Sequence, residues 1–186
     1  TYVRTYAPAW PRFDHGYFKN CLKAFEIDPT ARIKTMSFGQ RKKTGIAFAL
    51  ATKADILMLD EPTNGLDIPS KTMFRKLVAE ALDEDCCIIL PTHQVRDLET
   101  LIDSVIVLNE ANIVFNQTID ATCEKLRFSL STSLEMPENV LYAEMTPRGY
   151  AVVNQNLTGE ESKVDLETLF NLCIQQPETI HQLFNA

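Results

Sequence analysis

Hydrophobic and polar positions alternate between two periods along the chain. Behind Asp14, a side chain suited to capping a helix, Tyr17, Phe18, Cys21, Leu22 and Phe25 recur at helical spacing and predict an amphipathic helix over 15–27. The run RKKTGIAFALATKA predicts a second helix, over roughly 39–53. Pro69 and Ser70 open a third, with Met73, Phe74, Leu77, Val78, Ala81 and Leu82 on one face. Between them lie two unbroken apolar runs of strand length, ILMLD (56–60) and CCIIL (86–90). A short helix is predicted over about 94–102, after the loop PTH. SVIVLN and NIVFNQ, parted by Glu110 and Ala111, read as a β-hairpin. Further on, VLYAEM and YAVVNQ flank the turn TPRG as a second hairpin, and VDLETLFNLCIQQ reads as a helix limited by Pro177.

The order strand, helix, strand, helix in the middle of the chain is that of an α/β protein. Strands that are apolar throughout, without polar alternation, predict a parallel sheet covered on both faces. We expect a helical portion over 1–36, an α/β core over 37–118, and a small α+β appendage over 119–186, where the composition changes.

Charge and composition narrow the function classes. The net charge of −7 argues against a nucleic-acid partner, which calls for a basic stripe. No apolar run approaches the ~20 residues that span a bilayer. The five cysteines lack metal-site spacing and fit reduced thiols.

The candidate chemistry sits where the apolar runs end. Ligands of open parallel sheets bind beyond the carboxyl ends of the strands. Asp60 and His93 each follow such an end and would emerge on one edge of the sheet. Asp60 suits Mg²⁺, directly or through water, because a hard cation takes oxygen ligands. Glu61 could polarise a water for attack on a phosphate. Pro62 stops the strand and Gly65 permits a tight turn. His93 could donate to a terminal phosphate or manage a proton. In MSFGQ, Ser37 and Gly39 precede a helix; a hydroxyl beside free N–H groups is either an anion site or an ordinary serine cap. Arg41, Lys42 and Lys43 read as a solvated face, and His15 and His181 as surface residues.

MSFGQ, ILMLDEPTNGLD and PTH, in that order and spacing, resemble the ATP-binding cassette (ABC) ATPases. MSFGQ looks like the signature motif, ILMLDE like the Walker B strand with its glutamate, NGLD like the D-loop, and His93 like the switch histidine. The resemblance implies a partial ABC nucleotide-binding domain with ATP and Mg²⁺ as cofactors. It implies head-to-tail pairing with a second nucleotide-binding domain. Ser37, Gly39 and Gln40 would then contact the partner's ATP, Asp60 would serve Mg²⁺, Glu61 the attacking water and His93 the γ-phosphate, with Asp67 communicating across the dimer. An integral membrane permease would be the other partner, the location would be cytoplasmic at the inner face of the membrane, and the LETLF tail looks most like that of short exporter ATPase subunits.

Two departures stand out. Phe38 occupies a place where the commonest signature has glycine, and G-x-x-x-x-G-K-[ST] is absent: the glycines at 16, 39, 45, 65, 149 and 159 do not form it. In the family that phosphate loop precedes the helical subdomain, so the resemblance implies that it lies upstream of Thr1, and the absence of a starting methionine fits a piece of a longer polypeptide. Two other readings are a DNA-repair or chromosome-type ABC lobe and a non-catalytic module that completes a partner's site. The first calls for heptads before the signature and a basic face, and residues 1–36 carry aromatics and prolines instead.

Overall fold

A computed structural model describes residues 2–82, 86–132 and 139–185. The chain divides into two compact units, Thr1–Leu101 and Ile102–Ala186.

The first unit runs α1 (Tyr2–Tyr6), α2 (His15–Ala24), α3 (Phe38–Ala51), β1 (Ile56–Met58), α4 (Ile68–Ala81) and β2 (Cys87–Ile89). Asp14 caps α2 as its sequence predicts, accepting from the Tyr17 amide at 2.8 Å. The helix ends at Ala24, short of Ile27, because Glu26 turns left-handed at φ 56°. Its amide then returns to the Lys23 carbonyl, and that of buried Ile27 to Leu22, which closes the helix in a Schellman motif. α2 buries Phe18, Cys21 and Leu22, and α3 buries Ile46, Ala47, Phe48, Leu50 and Ala51. Phe13, Phe18 and Phe48 join the two helices in one aromatic cluster, with ring centroids 4.9–6.2 Å apart.

β1 and β2 pair in parallel, Ile56 opposite Cys87 and Met58 opposite Ile89. Cover on both faces was expected and is not found. Leu57 and Ile88 share a cleft with Leu50 of α3 and Ala81 of α4. The alternate side chains face away from that layer: Ile56 is 67 % and Met58 64 % exposed, and Ile89 is also exposed. Period-two alternation with helices on a single side leaves the second face open among the described residues.

The helix expected over 94–102 is instead a single 3₁₀ turn, Val95–Asp97, followed by further turns around buried Leu98. Arg75 donates to the Asp97 carbonyl and Lys71 to its carboxylate, at 3.3 and 2.6 Å. The Arg75 bond engages a carbonyl that a continuing helix would use, and the Lys71 bond anchors the side chain of the same residue to α4.

The second unit holds β3 (Ser104–Asn109), β4 (Asn112–Thr118), α5 (Ile119–Lys125), β5 (Leu126–Ser131), β6 (Val140–Thr146), β7 (Gly149–Gln155), α6 (Leu166–Gln175) and α7 (Pro177–Asn185). β3 and β4 form the predicted antiparallel hairpin. Glu110 and Ala111 are both left-handed there, as a two-residue turn between twisted strands requires. β5, β7 and β6 form a three-stranded antiparallel sheet in that order. Pro177 does more than limit α6. It is also the first residue of α7, where its missing N–H costs nothing.

Candidate functional site

The register of the two parallel strands builds the site. Met58 lies opposite Ile89, and the ladder continues past both strand ends. The Leu59 amide donates to the Ile89 carbonyl and the Glu61 amide to that of Pro91, each at 2.9 Å. Glu61 therefore faces the loop after β2. Its Oε2 accepts from the Thr92 hydroxyl at 2.8 Å. Its Oε1 accepts from the His93 amide at 2.9 Å and lies 2.6 Å from His93 Nδ1. The carboxylate is 27 % exposed and the imidazole 72 %. Burial by itself raises the Glu61 pKa; the bonds from Thr92 and His93, with the charge of a protonated His93, outweigh it and hold the carboxyl below its ordinary value. These bonds favour the carboxylate form of Glu61.

Asp60, next to it, points into solvent. Among the described residues no three His, Cys, Asp or Glu side chains gather in a way that could cage a metal. Asp60 can offer Mg²⁺ one oxygen, or one held water. That suits an ion that keeps several waters and is bound mainly through a substrate's phosphates.

The start of α3 lies against the turn at Gly65. Ser37 caps it, accepting from the Gln40 amide at 3.2 Å, while Gln40 Oε1 accepts from the Ser37 amide at 2.9 Å. This capping box commits both side chains to the helix start. The amides of Phe38 and Gly39, in the first turn, have no carbonyl within the helix to bond. The anion-site and serine-cap readings of MSFGQ are therefore compatible, because the cap is made by side chains and a bound anion would meet backbone. Phe38 is 63 % exposed and rests on Gly65, whose hypothetical Cβ would lie 2.8 Å from the ring. Gly39 also approaches this turn, toward the Gly65 carbonyl.

Lys42 departs from the solvated face expected of Arg41, Lys42 and Lys43. Its ammonium is partly buried and donates to the carbonyls of Glu61 and of Asn64, the latter at 2.8 Å. Desolvation lowers its pKa, opposed by the nearby Glu61 and Asp60 charges. Asp67 caps α4, accepting from the Ser70 amide at 2.9 Å, and hydrogen bonding from the Ser70 side chain, then from its amide, lowers its pKa.

The structure thus unites Glu61 and His93, sets Asp60 beside them, and brings the start of α3 to the turn that follows. Sequence reasoning missed Thr92 and Lys42. Thr92 follows from the register, since it stands as far beyond Ile89 as Glu61 stands beyond Met58. Lys42 has a weaker signal, lying four positions after Phe38 and so on the same helix face.

Ligands of open parallel sheets bind beyond the carboxyl ends of the strands, which is where Asp60 and Glu61 stand. The ABC transporter family model matches residues 14–64, and the chain is similar to ATP-binding proteins of ABC transporters. It is 33 % identical over 96 residues to the ABC transporter ATP-binding protein NatA of Bacillus subtilis, covering 52 % of this chain and 39 % of NatA. It is 37 % identical over 81 residues to the molybdenum import ATP-binding protein ModC of Mycobacterium tuberculosis, covering 43 % of this chain and 22 % of ModC. Among solved structures it is similar to an ATP-binding subunit of an ABC transporter, with a TM-score of 0.57 and 21 % identity over 64 % of this chain and 52 % of the other. The fold is that of a partial ABC ATPase domain. The chain spans less than half the length of these curated relatives.

Proposed function

We propose that this chain is the signature-bearing and water-activating part of an ABC ATPase, working as the ATP-binding subunit of a membrane transporter. The observation that carries this reading is the hold on Glu61: an ionised carboxylate fixed by Thr92 and His93 at the carboxyl end of a parallel strand. A carboxylate so placed accepts a proton from water as that water attacks a phosphate. Both of its oxygens are engaged, so a water must exchange with one partner. The mobile candidate is the exposed His93 ring, which is then released toward the phosphate. Thr92 keeps the other oxygen in place meanwhile. Asp60 would hold Mg²⁺, which supplies positive charge to phosphate oxygens when bound. The start of α3, at Ser37, Gly39 and Gln40, would meet the nucleotide of a second nucleotide-binding domain through backbone N–H groups. Asp67, beyond its capping role, would stand at that dimer contact.

The sequence lacks a phosphate loop and the relatives are more than twice as long as the matched region. Both facts support a phosphate loop supplied from outside these 186 residues. No helix among the described residues is long and apolar enough to cross a membrane. In this reading an integral permease supplies the transport path, with this chain at the cytoplasmic face. Export is the proposed direction, from the resemblance of the LETLF tail to short exporter subunits; ModC, a related protein, is named for import, and transport into or out of vesicles distinguishes the two.

The test is ATP hydrolysis with Mg²⁺ by this chain alone and mixed with a polypeptide carrying an ABC phosphate loop. We expect silence alone and turnover on mixing, abolished by Glu61→Gln with ATP binding retained. Undiminished turnover in that variant would remove Glu61 from its role.

A further inference from the structure

We infer that Lys42 is a positioning residue: through the Glu61 and Asn64 carbonyls it ties the start of α3 to the turn that aims the Glu61 carboxylate at Thr92 and His93. Three contacts set one face of α3 on the 61–65 turn. Phe38 covers Gly65, Gly39 approaches the Gly65 carbonyl, and Lys42, one helical turn on, reaches two carbonyls across that turn. The lower carbonyl belongs to Glu61 itself, whose backbone is left-handed at φ 45°. A β-carbon disfavours that conformation, so it persists only where surrounding bonds fix it. The Glu61 amide is fixed by Pro91, its carbonyl by Lys42 and its carboxylate by Thr92 and His93. Of these, only the Lys42 bond comes from α3.

A continuous path of bonded groups therefore joins the helix start to the His93 ring. Displacing α3 releases the Glu61 carbonyl, lets its φ relax and turns the carboxylate off Thr92 and His93. The functional meaning of this coupling rests on Glu61 being the water-activating carboxylate, but the coupling itself can be measured without nucleotide.

The experiment is imidazole NMR on the full 186-residue chain, whose three histidines are separable through His93→Gln. Glu61→Gln serves as reference for a lost carboxylate contact. Lys42→Met should displace the His93 ring signals in the direction of Glu61→Gln, by at least half its amount. His15 and His181 should keep their positions, and Lys42→Arg should restore the wild-type spectrum. Wild-type His93 signals in Lys42→Met, beside displaced ones in Glu61→Gln, would overturn the proposal. So would failure of Glu61→Gln to move His93. If Lys42→Met does not fold, Lys42→Gln, which keeps a shorter donor, takes its place with the same criteria. A failed ATPase assay leaves this result intact, and an unmoved His93 in the Lys42 variants leaves the ATPase reading intact.

Discussion

Gly65→Ala tests how tightly the 61–65 turn is docked on α3. Gly65 sits at φ 75°, and a Cβ there would meet Phe38 Cε1 at 2.8 Å and Cδ1 at 3.2 Å. Two costs follow. The left-handed backbone costs an L-residue about 1–2 kcal/mol. The ring must also yield; because Phe38 is exposed on its outer side, it can swing off its rotamer for about 0.5–1.5 kcal/mol. Together the substitution should cost about 2 kcal/mol, which for a unit of this size lowers the melting temperature by roughly 10 °C. In a Phe38→Ala background only the backbone cost should remain, about 1 kcal/mol less than the total. The assay is urea unfolding followed by fluorescence of Trp10, the single tryptophan, which lies in the same unit. An equal cost in both backgrounds would refute the Phe38 contact. No cost in either would refute the left-handed turn.

Ser37→Ala removes the cap and leaves the Gln40 amide without its side-chain acceptor, and should cost about 1 kcal/mol by the same unfolding assay, with Ser37→Gly costing less. The depressed pKa of Glu61 makes stability depend on acid. Its folded value lies below its unfolded one, so the stabilisation is present above the ordinary glutamate range and is lost as pH falls through the folded value; Glu61→Gln should flatten that part of the stability profile. Thr63 is fully buried in the same turn and its hydroxyl has no partner among the described residues. Thr63→Val should therefore stabilise the unit by up to about 1 kcal/mol in urea unfolding, since it removes an unsatisfied group at similar volume. A loss of 2 kcal/mol or more would mean that the hydroxyl is bonded after all.

Local signals in the sequence carried most of the elements. Asp14 and Ser37 mark helix starts by side-chain chemistry that acts within three residues, and the Glu110–Ala111 turn is set by strand spacing. The same signals failed where a distant group intervened. The 94–102 segment has helical residues, but Lys71 and Arg75 of α4 hold Asp97 and break the pattern. Cover of the β1–β2 faces depends on elements packed against them, and apolar content alone told only that cover is needed. At the site, Asp60, Glu61 and His93 were legible because each follows an apolar run. Lys42 was not, since a lysine between two basic neighbours looks solvated until the carbonyls it meets are known.

Backbone conformation separates Glu61 from the other strained positions. Five described residues other than glycine have positive φ: Glu26, Lys53, Glu61, Glu110 and Ala111. Glu26 and Lys53 follow the ends of α2 and α3, where a left-handed residue closes a helix. Glu110 and Ala111 form the hairpin turn between β3 and β4. In each of those places the backbone needs the conformation, which glycine or asparagine would also supply, although Lys53 sets its ammonium over the Tyr17 ring at 4.6 Å. Glu61 is different, because it ends a parallel strand and its amide still belongs to the ladder. Glycine there would relieve the backbone but would forfeit the bonds to Thr92 and His93. A left-handed position costs about 1–3 kcal/mol when a side chain must be carried through it, and it is retained where the surrounding structure fixes it and the side chain is used. Held at its amide, its carbonyl and both carboxylate oxygens, Glu61 meets that condition, and this strain together with those four holds points to the carboxylate as the reason for the turn.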